Sequence, residues 1–177
     1  MKVKICGITN ADDALAAVEA GADALGFVFA PEARRRNRYV APETAQHIIA
    51  QLPPFVTTIG VCVNMPLTEL VHVLSFVDLI QFHGEESPED LAPLPHLAIK
   101  VFRTGPDFRV GDMADYAARA YLIDAYDPQA RGGAGKTCDW DAARAAVDTG
   151  KPVILAGGLT PENVAEAVRA VRPYAVD

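Results

Sequence analysis

Short apolar runs rich in Val, Ile and Phe alternate with longer Ala-rich amphipathic stretches along this chain, and the alternation persists to the last residue, Asp177. The apolar runs begin near Val3, Ala24, Val56, Leu79, Ala98, Tyr121, Pro152 and Tyr174, about 20 to 30 residues apart. Parallel strands need that spacing, because a crossover of a dozen or more residues must carry the chain back before the next strand can start. Runs such as LGFVF (25–29), TIGVCV (58–63) and PVILAG (152–157) are apolar throughout. That fits strands covered on both faces.

The intervening stretches carry helix punctuation. Asn10 is placed to cap a helix from Ala11, with Asp13 in its first turn and Gly21 at its end. Pro42 opens a second helix that stops before Pro53 and Pro54, and Ser87-Pro88-Glu89-Asp90 opens another. Thr160-Pro161-Glu162 is expected to cap and start a helix in which Val164, Ala165, Val168 and Val171 share one face. Eight strands in strict alternation with helices favour a (β/α)8 barrel, with an open doubly wound sheet as runner-up.

Length bears on that reading. Such barrels commonly take about 250 residues and rarely fewer than 200, against 177 here. The strand count places Asp177 inside strand eight. The expectation is therefore one barrel domain over residues 1–177, with strand eight cut short and the last helix absent from this sequence, as in a truncated record or a disordered tail. No linker or composition shift divides the chain.

Composition narrows the function classes. Half the residues are hydrophobic and the net charge is −7, so the chain can bury a core. It lacks the basic face from which nucleic-acid binding draws its affinity. A small-molecule partner is expected, with no nucleic acid and no membrane, since no apolar stretch is long enough to span a bilayer. The opening KVKICGIT has no A-x-A-like cleavage site and reads as a buried strand, which points to the cytoplasm. Cys6, Cys62 and Cys138 are odd in number and far apart, fitting reduced thiols; the four histidines show no metal-ligand spacing. No metal site is expected.

In a (β/α)8 barrel the chemistry sits where strands end. Polar and glycine residues there are Cys6, Asn64, Gln81, His83, Arg103, Asp124, Gly157 with Gly158, and Asp177. Cys6 precedes a capped helix whose positive end favours thiolate, or it is a small buried hydrophobe. Cys62 and Cys138 read as ordinary buried cysteines. Asp124 ends an apolar strand, where a carboxylate is costly unless paired or used, or it caps the next helix. The loop from Arg131 to Thr137 fails the P-loop pattern because Ala130 stands where glycine is required. It reads as a glycine-rich lid or as a surface turn. Gly157 and Gly158 offer bare N–H groups to a phosphate, or serve packing. In the run Arg34-Arg35-Arg36-Asn37-Arg38, one arginine over the barrel mouth would suit a planar carboxylate, the others a solvated face.

KICGIT (4–9), GFVF with R-Y-V-x-P (38–42), GVCVN (60–64), QFHGEE (81–86), GGAGKTCDW (132–140) and LAGGLTPENV (155–164), in this order, resemble the phosphoribosylanthranilate isomerase family across essentially the whole chain. The resemblance implies a barrel catalysing an Amadori rearrangement of N-(5-phosphoribosyl)anthranilate in tryptophan biosynthesis, without cofactor, as a monomer or homodimer. It places the general base on Cys6 and the general acid on Asp124. Arg38 would take the anthranilate carboxylate, leaving Arg34 to Arg36 at the surface; relatives often carry serine where this chain has Arg36. Asp177 would help place the anthranilate moiety, and His83 and Gly133 would contact substrate. Gly157 and Gly158 would form half of the phosphate site, the other half being a turn after strand eight that is not in this sequence. Competing readings are another phosphosugar barrel, such as an epimerase, and a phosphosugar-binding barrel without catalysis.

Overall fold

A computed structural model of the chain describes residues 1–127 and 137–177. Eight parallel strands follow one another in chain order around a closed barrel: β1 (Lys2–Cys6), β2 (Ala24–Val28), β3 (Thr57–Cys62), β4 (Leu79–Phe82), β5 (Ala98–Arg103), β6 (Ala120–Asp124), β7 (Val153–Leu155) and β8 (Ala175–Val176). Each begins within one residue of the expected position. The helices among the described residues are α1 (Ala11–Glu19), α2 (Pro42–Ile49), α3 (Leu67–Leu74), α4 (Pro88–Leu91), α5 (Trp140–Val147) and α6 (Val164–Val171). Between β5 and β6 the crossover is a 3₁₀ turn, Val110–Asp115, in a segment whose Gly105, Pro106 and Gly111 resist an α-helix.

The expected caps hold at two starts. Asn10 accepts the Asp13 N–H at 2.8 Å, and Ser87 forms a reciprocal capping box with Asp90 at the head of α4. The third expectation is corrected: regular helix begins at Val164, not at Thr160-Pro161. Asn163 accounts for the delay, because its side chain accepts the Thr160 N–H at 2.8 Å and donates to the Gly158 carbonyl at 2.9 Å. These local bonds favour a turn before the helix.

The chain forms two compact units, each described by itself: Lys2–Glu85 and Glu86–Asp177, the latter with Met1. In the first, a Cβ built on Gly60 would press on Val73 of α3 and on Ile80. Gly60 and Ile80 therefore face the helix layer, and by strand alternation Ile59, Val61 and Gln81 face inward. A Cβ on Gly26 would lie 2.9 Å from the Cys6 sulfur and 3.2 Å from Lys4 Cε, so Lys4 and Cys6 share the inward face. Two aspartates fasten strand starts here: Asp23 accepts from Val3 N and Asp78 from Thr58 N.

In the second unit, Phe102 stacks edge-on against Tyr116 and Tyr121, whose hydroxyl donates to the Met113 carbonyl at 2.7 Å. That aromatic cluster lies on the helix side, so Val101, Arg103, Leu122 and Asp124 face inward. Lys100, on the Phe102 side, pairs with Glu86 at 2.8 Å, both side chains about 95% buried (4% and 5% exposed).

Candidate functional site

Cys6 closes β1 and is half-buried. Directly after it Gly7 takes φ +91°, a conformation that suits glycine. The Gly7 and Ile8 N–H groups both donate to the Gly26 carbonyl, at 2.9 and 3.0 Å, which folds the β1 end over β2. Val28, Ala30, Ala33, Val61 and Val63 form an apolar cluster with Cys6.

Arg38 reaches the same corner. Its Nη2 donates to the Cys6 carbonyl at 3.1 Å, and a Cβ on Gly7 would fall 2.5 Å from Arg38 Nε. Backbone geometry brings it there: Asn37 turns the chain at φ +52°, and Tyr39 forms an isolated parallel bridge beside Val28 of β2. Arg34, Arg35 and Arg36 are exposed on the preceding 3₁₀ turn, with the Arg34 guanidinium 4.3 Å from the centre of the Tyr39 ring. Arg38 thus separates from its neighbours as the arginine at the strand ends.

At the end of β4, Gln81 Nε2 lies 3.0 Å from His83 Nδ1. Asn64, at φ +46°, accepts the Glu85 N–H at 2.8 Å and so ties the segment after β3 to the segment after β4.

In the second unit, Asp124 closes β6 with 5% exposure. Its Oδ1 accepts the Ala125 N–H at 2.8 Å, and its carbonyl accepts the Thr104 N–H at 3.0 Å. Gly157, at φ +86°, abuts it: a Cβ there would lie 2.6 Å from Ala125 N and 3.1 Å from Asp124 Oδ1. Gly158 also takes positive φ, and the turn held by Asn163 separates this pair from α6. Asp177, half-buried, donates its N–H to the Leu155 carbonyl at 2.9 Å, continuing β8 on the inward face of Ala175. Arg103 stands opposite Asp124 in the β5–β6 register.

Cys138 belongs to this corner, which its sequence setting did not reveal. It is 5% exposed, and burial together with the charges of Asp124 and Asp139 pushes its thiol up to about 12. It is a neutral S–H beside Asp124. The other residues missed from sequence are Gly7 and Asn163; the Cys-Gly pair at the end of strand one was the available signal for the former. Gly133 lies outside the described residues. Among those described, no three His, Cys, Asp or Glu side chains cluster for a metal, and no helix is long and apolar enough to cross a membrane.

Known proteins bear on what these strand ends do. The family model described as N-(5'phosphoribosyl)anthranilate (PRA) isomerase matches residues 3–177. The N-(5'-phosphoribosyl)anthranilate isomerase of Geobacter metallireducens is 52% identical over 179 residues, covering 100% of this chain and 87% of that protein. The crystal structure of the phosphoribosyl anthranilate isomerase from Thermus thermophilus superposes with a TM-score of 0.88 at 42% identity, covering 100% of this chain and 86% of that one. A phosphoribosyl anthranilate isomerase in complex with reduced 1-(o-carboxyphenylamino)-1-deoxyribulose 5-phosphate matches with a TM-score of 0.81 at 37% identity, over 100% of this chain and 86% of that chain. With inward-facing thiol, carboxyl and glycine turns at its strand ends, the chain belongs to the phosphoribosylanthranilate isomerase family.

Proposed function

We propose that residues 1–177 work as one barrel domain that converts N-(5-phosphoribosyl)anthranilate to 1-(2-carboxyphenylamino)-1-deoxyribulose 5-phosphate, with Asp124 as general acid and Cys6 as general base. Family membership makes the protein an isomerase of tryptophan biosynthesis. The proposal adds how its own residues move the protons. The observation that carries it is the pair of groups on inward faces where strands end, a buried carboxyl on β6 and a half-buried thiol on β1.

The reaction needs a proton delivered to the furanose ring oxygen and another removed from sugar C2. Asp124 donates the first, opening the ring to the Schiff base; Cys6 takes the second, giving the enolamine that becomes the aminoketose. The Ala125 N–H on Oδ1 is compatible with the acid form, because a protonated carboxyl still accepts on one oxygen while the other carries the proton. On the other side, the free-thiol pKa of about 8.5 leaves few thiolates at neutral pH, so Cys6 acts with help from the groups around it. Each positioned acid or base contributes roughly 10²–10⁴ in rate. Two proton transfers within one carbon skeleton call for no metal or cofactor.

Arg38 binds the anthranilate carboxylate. Its Nη2 is engaged with the Cys6 carbonyl, and a guanidinium has five N–H donors, so others stay available for a carboxylate. Gly157 and Gly158 take the phosphate, and His83, Asp177 and Gly133 complete the substrate contacts. The small-molecule partner, the absence of nucleic acid, the cytoplasmic site and a monomer or homodimer are read from the net charge of −7 and from the family.

Decay of the fluorescence of the anthranilate adduct tests the activity. Wild type should show rapid decay, and Cys6→Ala and Asp124→Asn should each lose at least about a hundredfold in kcat while still binding product. Full turnover by Cys6→Ala would falsify the base assignment. Unchanged turnover by Asp124→Asn would reduce that residue to a capping role.

A further inference from the structure

We propose that Gln81 is a positioning residue that sets which nitrogen of His83 carries the proton, keeping it on Nε2, which is buried until substrate enters, for donation to the substrate. This rests on His83 as a substrate contact, the reading given above. Ile80 faces the helix layer against Val73, so Gln81 and His83, one and three residues further on, project from the opposite face of the same segment. Gln81 is 1% exposed. Its Nε2 lies 3.0 Å from His83 Nδ1.

An amide nitrogen has N–H donors and no lone pair to offer. With Gln81 Nε2 as its neighbour, Nδ1 must accept, and the single proton of the neutral ring goes to Nε2. An imidazolium would set an N–H against the amide N–H groups, with no acceptor between them. The carbonyl end of the same side chain, Oε1, is buried and accepts no hydrogen bond from the described residues. Burying such an acceptor is unfavourable. A hydrocarbon of similar size would avoid that cost, so the use of the amide lies in what its nitrogen does for the ring. His83 lies one residue past β4, where its N–H still donates to the Cys62 carbonyl at 2.9 Å, so the spacing of two that puts neighbours on one strand face carries over to the pair.

The test reads the ring directly. In ¹⁵N-histidine-labelled protein, long-range ¹H–¹⁵N correlation spectra at pH 8 distinguish the two tautomers, and the signal lost in His83→Asn identifies His83 among the four histidines. Wild type should show the Nε2–H form. Gln81→Glu, nearly isosteric but acceptor-only when ionised, should move the proton to Nδ1. It should also raise KM roughly tenfold, about one lost hydrogen bond, with kcat within about threefold. Gln81→Met, a second variant in case the glutamate fails to fold, should give a mixture of tautomers. An Nδ1–H ring in wild type, or an unmoved Nε2–H form in a folded Gln81 variant, overturns the proposal. A shifted tautomer with unchanged KM instead overturns His83 as a substrate contact and leaves the control of the ring by Gln81 standing.

Discussion

The Cys6 corner and the Asp124 corner are built on the same device with different materials. In each, a glycine at positive φ lies against the polar side chain that closes a strand: Gly7 beside Cys6 and Gly157 beside Asp124. At Gly7 the space a side chain would need is filled by the Arg38 side chain, Nε at 2.5 Å. At Gly157 it is filled by backbone, the Ala125 nitrogen at 2.6 Å, with Asp124 Oδ1 behind it at 3.1 Å. A side chain can swing aside, whereas a strand end cannot. The first corner is therefore adjustable and half-buried, the second rigid and nearly dry. That division matches the roles proposed above for the two groups.

Replacing the two groups proposed to move protons breaks the comparison most severely. Cys6→Ser and Asp124→Asn should each cost 10²- to 10⁴-fold in kcat, with melting temperatures close to wild type. Asparagine preserves the acceptor for the Ala125 N–H and cannot donate an acidic proton. A loss of stability in place of activity would turn Asp124 into a structural residue.

A rigid second unit also contains the buried pair Lys100–Glu86. Glu86→Gln removes the carboxylate and leaves the Lys100 ammonium in the apolar layer beside Tyr116. The expected cost is about 3–5 kcal/mol in urea unfolding, with turnover per folded molecule kept. A cost below about 1 kcal/mol would show that the pair behaves as a surface contact.

The two glycines sharpen the contrast directly. Gly157→Ala should destabilise by about 2–4 kcal/mol and lower kcat, since strain at positive φ adds to a backbone clash at the acid. Gly7→Ala should destabilise less, about 1–2 kcal/mol, and act mainly on KM by displacing Arg38. Combining Gly7→Ala with Arg38→Ala should give less than the sum of the two KM effects. Full additivity would separate the glycine from the arginine.

Much of this was legible in the chain because of how barrel strands are buried. Apolar runs such as LGFVF and TIGVCV marked strand starts to within a residue, and a polar residue closing such a run, Cys6, Asp124 or Asp177, stands out against it. What was not legible depends on contacts between distant residues. Gly7 is only the residue after Cys6 until Arg38 is seen over it, and Cys138 reads as core until Asp124 is its neighbour. The start of α6 was misplaced for a local reason: Asn163 bonds back to Thr160 and Gly158, and side-chain bonding of that kind outcompetes the Thr-Pro start signal.

Cys138 provides the finest probe of the Asp124 corner, through alkaline pH. Burial and the neighbouring carboxylates push its thiol from the ordinary 9.0 up to about 12. Between those values the unfolded chain has released the proton while the folded protein holds it. The unfolded state then binds fewer protons, so stability is complete below about pH 9 and falls as pH rises, by at most about 1.4 kcal/mol per unit. Tyr116 and Tyr121, also raised by burial, add a loss of the same sign once pH passes 10. Urea unfolding between pH 8.5 and 10 stays below the tyrosines, and the difference between wild type and Cys138→Ala there reads this thiol. Wild type should show the downward slope and Cys138→Ala should lose most of it. Equal slopes in the two would mean that the Asp124 corner is wet, and the contrast with the Cys6 corner would fall with it.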